Sequence, residues 1–148
     1  MKTINQLPTI DAKQTADFQQ NGYALTINLA TTEEINHYRP LILNAVKKLN
    51  PEVRKMEDRD TYGKAFLQTM NLWETDAQVK EFTLAKKFAS MAAQLMGVER
   101  VRLYHDQALF KEPGGGFTPW HQDQYYWPLS TSNTITMWMP LIDITKDM

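Results

Sequence analysis

A chain of 148 residues with 43% hydrophobic and 22% charged side chains has the size and composition of one soluble domain able to bury a core. With 16 basic against 17 acidic residues the net charge is −1, so no strong field favours nucleic acid or anionic lipid. The lack of cysteine excludes disulfides, thiolate metal sites and cysteine nucleophiles, and fits the cytoplasm; residues 1–8 lack the apolar run of a signal peptide, and no stretch approaches the roughly 20 apolar residues of a membrane span.

Asp11 is placed to cap a helix over residues 12–20, closed by Asn21-Gly22. Tyr23-Ala24-Leu25-Thr26-Ile27 has strand propensity. Thr31-x-x-Glu34 has the form of a capping box. It opens a helix whose apolar face runs Ile35, Tyr38, Ile42, Ala45, Leu49. Pro40 is expected to kink or divide that helix, and Asn50-Pro51 to end it. The charged residues 51–62 read as a solvated loop or, alternatively, a flap over a site.

Residues 65–70 suit a short strand, and Asp76 a cap for a helix over residues 77–82. A stronger helix follows, with Leu84, Phe88, Met91, Ala92 and Leu95 on a core-packing face and Gly97 after its end. From Val101 the period changes to two. Val101, Leu103, His105, Gln107 and Leu109 should share one face of a long strand, with Arg102, Tyr104, Asp106, Ala108 and Phe110 on the other. Gly114-Gly115-Gly116 lacks the Gly-Lys-Ser/Thr ending of a phosphate loop and reads as a flexible connection. Ser130-Thr131-Ser132-Asn133 is a turn. A last strand over residues 134–142 alternates Ile135, Met137, Met139, Leu141 with Thr134, Thr136, Trp138. Helices first and strands later predict an α+β chain in a single domain over residues 1–148.

Chemistry concentrates in Thr118-Pro119-Trp120-His121-Gln122-Asp123-Gln124-Tyr125-Tyr126-Trp127. On extended backbone, His121 and Asp123 point the same way and offer an imidazole nitrogen and a carboxylate to one point. With a second His, such a pair forms the facial triad of non-haem Fe(II) sites. A bare His-x-Asp is common, and its structural alternative is a surface pair at a strand end. Its surroundings narrow the choice. Lys111-Glu112-Pro113-Gly114-Gly115-Gly116-Phe117 precedes it and Trp138-Met139-Pro140-Leu141-Ile142-Asp143 follows it; Phe18, Asn21-Gly22-Tyr23 and Leu95-Met96-Gly97 come earlier. In this order of segments the chain resembles the phytanoyl-CoA dioxygenase family of Fe(II)- and 2-oxoglutarate-dependent oxygenases, across most of its length.

The resemblance implies a double-stranded β-helix, the cupin-like jelly roll, with the N-terminal helices packed outside. It implies Fe(II), 2-oxoglutarate as co-substrate and O2, with hydroxylation of a small organic molecule; the near-zero net charge and the lack of an apolar span add the expectation of no nucleic-acid or membrane partner. It assigns His121 and Asp123 as catalytic metal ligands. The acid at Asp123 favours hydroxylation over halogenation, since related halogenases carry a small residue there. Gln107, Lys111, Thr118 and Trp138 become candidates for the co-substrate pocket, each with a structural or surface alternative. If His121 and Asp123 face a metal, Trp120 and Gln122 point away, toward core packing or support of the ligands. Tyr125, Tyr126 and Trp127 either line a substrate entrance or simply pack. His105 reads as a satisfied, partly buried histidine rather than a ligand, and His37 as a surface residue.

The family's distal His and the Arg that pairs with the far carboxylate of 2-oxoglutarate are absent: neither residue type occurs after Asp123. The expectation is a chain truncated at its C-terminus, inactive alone, whose barrel a missing segment or a partner chain completes. The alternative is a cupin-like binding module, or an assembly subunit, without turnover.

Overall fold

The computed structural model describes residues 4–50 and 52–146. Helix α1, Ala12–Asn21, starts where expected. The Asp11 carboxylate accepts from the Gln14 amide at 2.7 Å, and the Gln14 side chain accepts in turn from the Asp11 amide. Gly22 ends the helix in the left-handed region at φ 78°. Helix α1 carries no fully buried residue and lies against helix α6, Lys86–Met96. There the Gln94 side chain holds the preceding segment, accepting from the Ile10 amide and donating to the Pro8 carbonyl at 3.1 Å.

Helix α2, Thr32–Leu49, opens on the predicted capping box of Thr31 and Glu34. Tyr38, Ile42 and Ala45 are buried as expected, with Val46 beside them; the outer members of the predicted face, Ile35 and Leu49, are only half-buried and exposed. Pro40 does not divide the helix. It lies on the exposed side, as does Asn36, the residue whose carbonyl loses its helical partner. Asn50 ends the helix; Pro51 lies outside the described residues.

Helices α4, Leu72–Thr75, and α5, Ala77–Thr83, pack with α2 and α6 around one core. Asp76 caps α5, accepting from the Gln78 and Val79 amides. Tyr38, Phe82 and Phe88 form the aromatic spine of the core, with ring centroids 4.9 and 5.2 Å apart. In helix α6 the predicted Phe88, Met91 and Leu95 are buried, while Leu84 lies before the helix and stays exposed. Lys87 is buried as well. Its ammonium donates to both Glu34 oxygens, at 2.7 and 2.6 Å, and to the Leu29 carbonyl at 3.1 Å. His37 is exposed, as expected.

The segment expected to be a solvated loop is only partly so. It contains a 3-10 turn, Met56–Asp58, and helix α3, Thr61–Ala65, capped by Asp60. The side chain of Arg59 is 7% exposed and forms an ion pair with Glu112. The strand expected over residues 65–70 is β1, Leu67–Met70. It pairs antiparallel with β2, Gln107–Phe110, from Leu67↔Phe110 to Met70↔Gln107.

Three strand expectations need correction. Tyr23, Leu25 and Ile27 are exposed, and among the described residues no strand pairs with this segment. The long strand from Val101 is paired only from Gln107, and its phase changes on the way. Val101, Leu103 and His105 are half-buried, and so are Asp106, Ala108 and Phe110. Gln107 and Leu109 therefore leave the face of His105. The switch comes from Asp106, whose carboxylate turns inward to accept from the Trp73 amide at 3.1 Å and the Thr83 hydroxyl at 3.0 Å. Residues 134–142 form no ladder either, although Met139 and Leu141 pack against the core and Trp138 points out. The fold is mixed helix and strand with a small open two-stranded sheet; among the described residues no closed jelly roll is formed. Nor, among them, is any helix long and apolar enough to cross a membrane.

Removing one partner of a buried pair leaves the other charge uncompensated. Lys87→Met should lower unfolding stability by about 3–5 kcal/mol in urea denaturation. A loss under about 1 kcal/mol would mean that the pair behaves as a solvated one.

Candidate metal centre

Beyond β2 the chain turns through Gly114, at φ 77°, and returns along α3. The Gly116 amide donates to the Lys64 carbonyl at 2.9 Å. A Cβ on Gly115 would stand 2.7 Å from that same carbonyl, so only glycine lets the two backbones approach this closely. The glycine run is thus a docked turn rather than a loose connection. It delivers the chain to the His121 segment.

His121 lies outside any strand and Asp123 begins a 3-10 turn, Asp123–Tyr125. The single residue between them, Gln122, is extended at φ −119° and ψ 126°. That is enough to turn both side chains the same way. Nε2 of His121 and Oδ1 of Asp123 stand 3.5 Å apart. Each group is also held from behind. Nδ1 of His121 lies 2.9 Å from the Pro119 carbonyl oxygen. A carbonyl can only accept, so Nδ1 donates in this bond, and Nε2 is the nitrogen turned toward Asp123. Oδ2 of Asp123 accepts from the Thr136 hydroxyl at 3.0 Å, leaving Oδ1 beside the imidazole nitrogen.

An imidazole anchored through its other nitrogen, next to a hydrogen-bonded carboxylate, is the usual dress of metal ligands. Imidazole and carboxylate together suit Fe(II). At 3.5 Å both donors can reach one ion at about 2 Å each. Their side chains are 39% and 42% exposed, so an ion has access. The residues present fit two of the three protein positions of a facial triad. Among the described residues no three His, Cys, Asp or Glu side chains gather into a fuller set.

Beside His121 is a shallow open cavity of about 430 Å³, lined by Trp120, His121, Gln122, Tyr125 and Tyr126. Trp120 is fully exposed, so its expected core packing is not found. Tyr126 stands with its ring centroid 6.1 Å from that of His121 and 5.2 Å from that of Tyr125. Its hydroxyl lies 2.6 Å from that of Tyr62 in α3. That hydrogen bond first, and burial second, raise the Tyr126 phenol above its ordinary pKa. Trp127 instead turns toward Tyr104 and His105, at 5.7 and 5.6 Å. His105 is half-buried as expected, but its Nδ1 is buried without a hydrogen-bond partner among the described residues.

The four co-substrate candidates do not line this cavity. Gln107 donates across the sheet to the Gln68 side chain at 2.8 Å. The Lys111 ammonium closes its own loop on the Gly116 carbonyl at 2.6 Å and sits over the Phe66 ring. Thr118 is exposed, and Trp138 is 70% exposed. Three participants went unread in the sequence: the Pro119 carbonyl, Thr136 and Tyr62. Thr136 carried no signal beyond its place in an alternating run, and Tyr62 lies in the charged segment, far along the chain from the motif.

Loss of a group that orients a ligand typically costs 10–100-fold in metal affinity. Thr136→Val should weaken Co(II) binding by about tenfold in an anaerobic titration followed by visible absorption, with the unfolding midpoint little changed. Unaltered affinity would show that Asp123 needs no such support.

A search of curated proteins and of solved structures gave no match. The family model described as phytanoyl-CoA dioxygenase (PhyH) matches residues 18–148, which include both donors, the aromatic wall and all of the described sheet. That family implies a cupin-like fold and, in general, dioxygenase activity that uses iron and 2-oxoglutarate. The chain belongs to the phytanoyl-CoA dioxygenase family.

Proposed function

We propose that this protein is an Fe(II)- and 2-oxoglutarate-dependent dioxygenase that hydroxylates a small organic molecule, with His121 and Asp123 as two of its metal donors. The observation that carries this reading is the pair itself: Nε2 and Oδ1 3.5 Å apart, each oriented by a hydrogen bond on its far side, inside the segment that matches the family. Bound there, iron with 2-oxoglutarate and dioxygen supplies an oxidant strong enough to hydroxylate a C–H bond, with succinate and carbon dioxide released. The chain's own residues do the rest. Pro119 keeps the imidazole in the tautomer that can ligate, and Thr136 keeps the carboxylate turned toward it. The carboxylate at Asp123 occupies the place that a halide would need, which favours hydroxylation. The rings of Trp120, Tyr125 and Tyr126 give the substrate an apolar wall beside His121.

In this reading the third protein donor, and the cation that meets the far carboxylate of 2-oxoglutarate, come from a partner chain or from a further segment that also closes the jelly roll. Gln107, Lys111, Thr118 and Trp138 are the co-substrate contacts we propose for that closed barrel; Lys111 would first have to release the Gly116 carbonyl. One observation favours a second reading, a cupin-like binding module without turnover: no third donor gathers at the pair among the described residues.

Anaerobic addition of Fe(II) and 2-oxoglutarate is expected to produce the weak visible charge-transfer band of the chelate, and His121→Ala to abolish it. Succinate release on admitting oxygen would exclude the binding module. A band that forms only with a C-terminally extended chain would locate the missing donor there. No band in either form would sink the dioxygenase reading.

A further inference from the structure

Tyr62 stands outside the segment that carries the metal donors, yet it reaches their wall. Its hydroxyl is 2.6 Å from that of Tyr126, and the two rings meet edge to face at 6.4 Å and 86°. Tyr126 in turn lines the cavity and lies against the His121 ring at 67°. The helix that presents Tyr62 is itself fixed. Next to it the Arg59 guanidinium is buried between the Arg54 carbonyl, the Gly63 carbonyl and the Glu112 carboxylate. The Lys64 carbonyl receives the Gly116 amide at 2.9 Å, with Gly115 packed beneath it. Helix α3 is therefore tied both to the turn that leads into the donor segment and to the aromatic wall beyond it.

Among the described residues the His121 imidazole has one hydrogen bond, through Nδ1 to Pro119. One such bond fixes the tautomer but leaves the ring free to tilt about it, and the neighbouring Tyr126 ring limits that tilt. We propose that Tyr62 is a positioning residue of the metal centre: through its phenol bond it holds Tyr126 against His121 and so sets the direction of Nε2. The proposal rests on the reading of His121 as a metal donor.

The test separates the two. The chain has 3 histidines, so their imidazole signals resolve in a proton–carbon correlation spectrum of the full chain without metal, with His121 assigned by His121→Ala. Tyr62→Phe keeps the ring and removes only the hydroxyl. It should shift the His121 signals and leave those of His37 in place. Tyr126→Phe should do the same, and the double variant should add nothing further, because both remove one bond. Tyr23→Phe, at an exposed site away from the cavity, is the control and should shift none of them. Co(II) titration of Tyr62→Phe should then show affinity about tenfold weaker than wild type, the lower end of what outer ligand support is worth. His121 signals that coincide with wild type overturn the proposal. So does an unchanged Co(II) affinity with a lowered unfolding midpoint, which would make Tyr62 a brace of α3 only. If wild type takes up no Co(II), the two donors do not hold the ion without a third, and the His121 signals alone decide whether Tyr62 sets the imidazole.

Discussion

The helical half depends on one buried ammonium. Lys87 of α6 is surrounded by the Glu34 carboxylate of α2 and the Leu29 carbonyl before it, and Glu34 also receives the Thr31 amide that starts α2. A single carboxylate thus closes a helix cap and neutralises a charge from a second helix. Burying both ions costs several kcal/mol apiece before their attraction returns it. What such a pair contributes best is register. α2 can rotate or slide against α6 only by stranding a charge, so Tyr38 is held opposite Phe82, and the core closes around that contact.

The second half is held differently. From Lys111 onward the chain builds little core of its own, and its geometry comes from discrete polar ties: Gly116 to Lys64, Arg59 to Glu112, Tyr62 to Tyr126, Thr136 to Asp123. Each links residues at least thirteen apart in sequence. His121 and Asp123 sit among these ties rather than within packed strands. This explains how His121 and Asp123 share a direction without a strand beneath them: the extended conformation of Gln122 does that work locally, and the backbone around it follows the ties.

What could be read in the sequence followed the range of the forces involved. Helix caps were legible because they act over three or four residues. The Asp11, Thr31 and Asp76 caps all stand as expected, and so do the buried Tyr38, Ile42, Phe88, Met91 and Leu95. Strands were legible only where a partner was present. Residues 65–70 gave β1 because β2 lies beside it, whereas Tyr23 to Ile27 have the composition of a strand but no paired neighbour among the described residues. The phase change at Asp106 was hidden because its cause, the Trp73 amide and the Thr83 hydroxyl, lies far back in the chain. The donor pair was legible from spacing and family resemblance together. Its supports were not: a hydroxyl such as that of Thr136, or a phenol such as that of Tyr62, takes its meaning from where the fold brings it.

The placement of the buried pair has a consequence for how the protein opens. All of its partners lie between Leu29 and Lys87, so no part of the donor segment contributes to it. Apart from Met139 and Leu141, residues 111–146 add little to that core, so they are expected to open more readily than α2 and α6. Amide hydrogens there would exchange by partial opening, and those of α2 and α6 only by global unfolding. Such a division leaves the half that carries His121 and Asp123 able to adjust locally without putting the whole chain at risk.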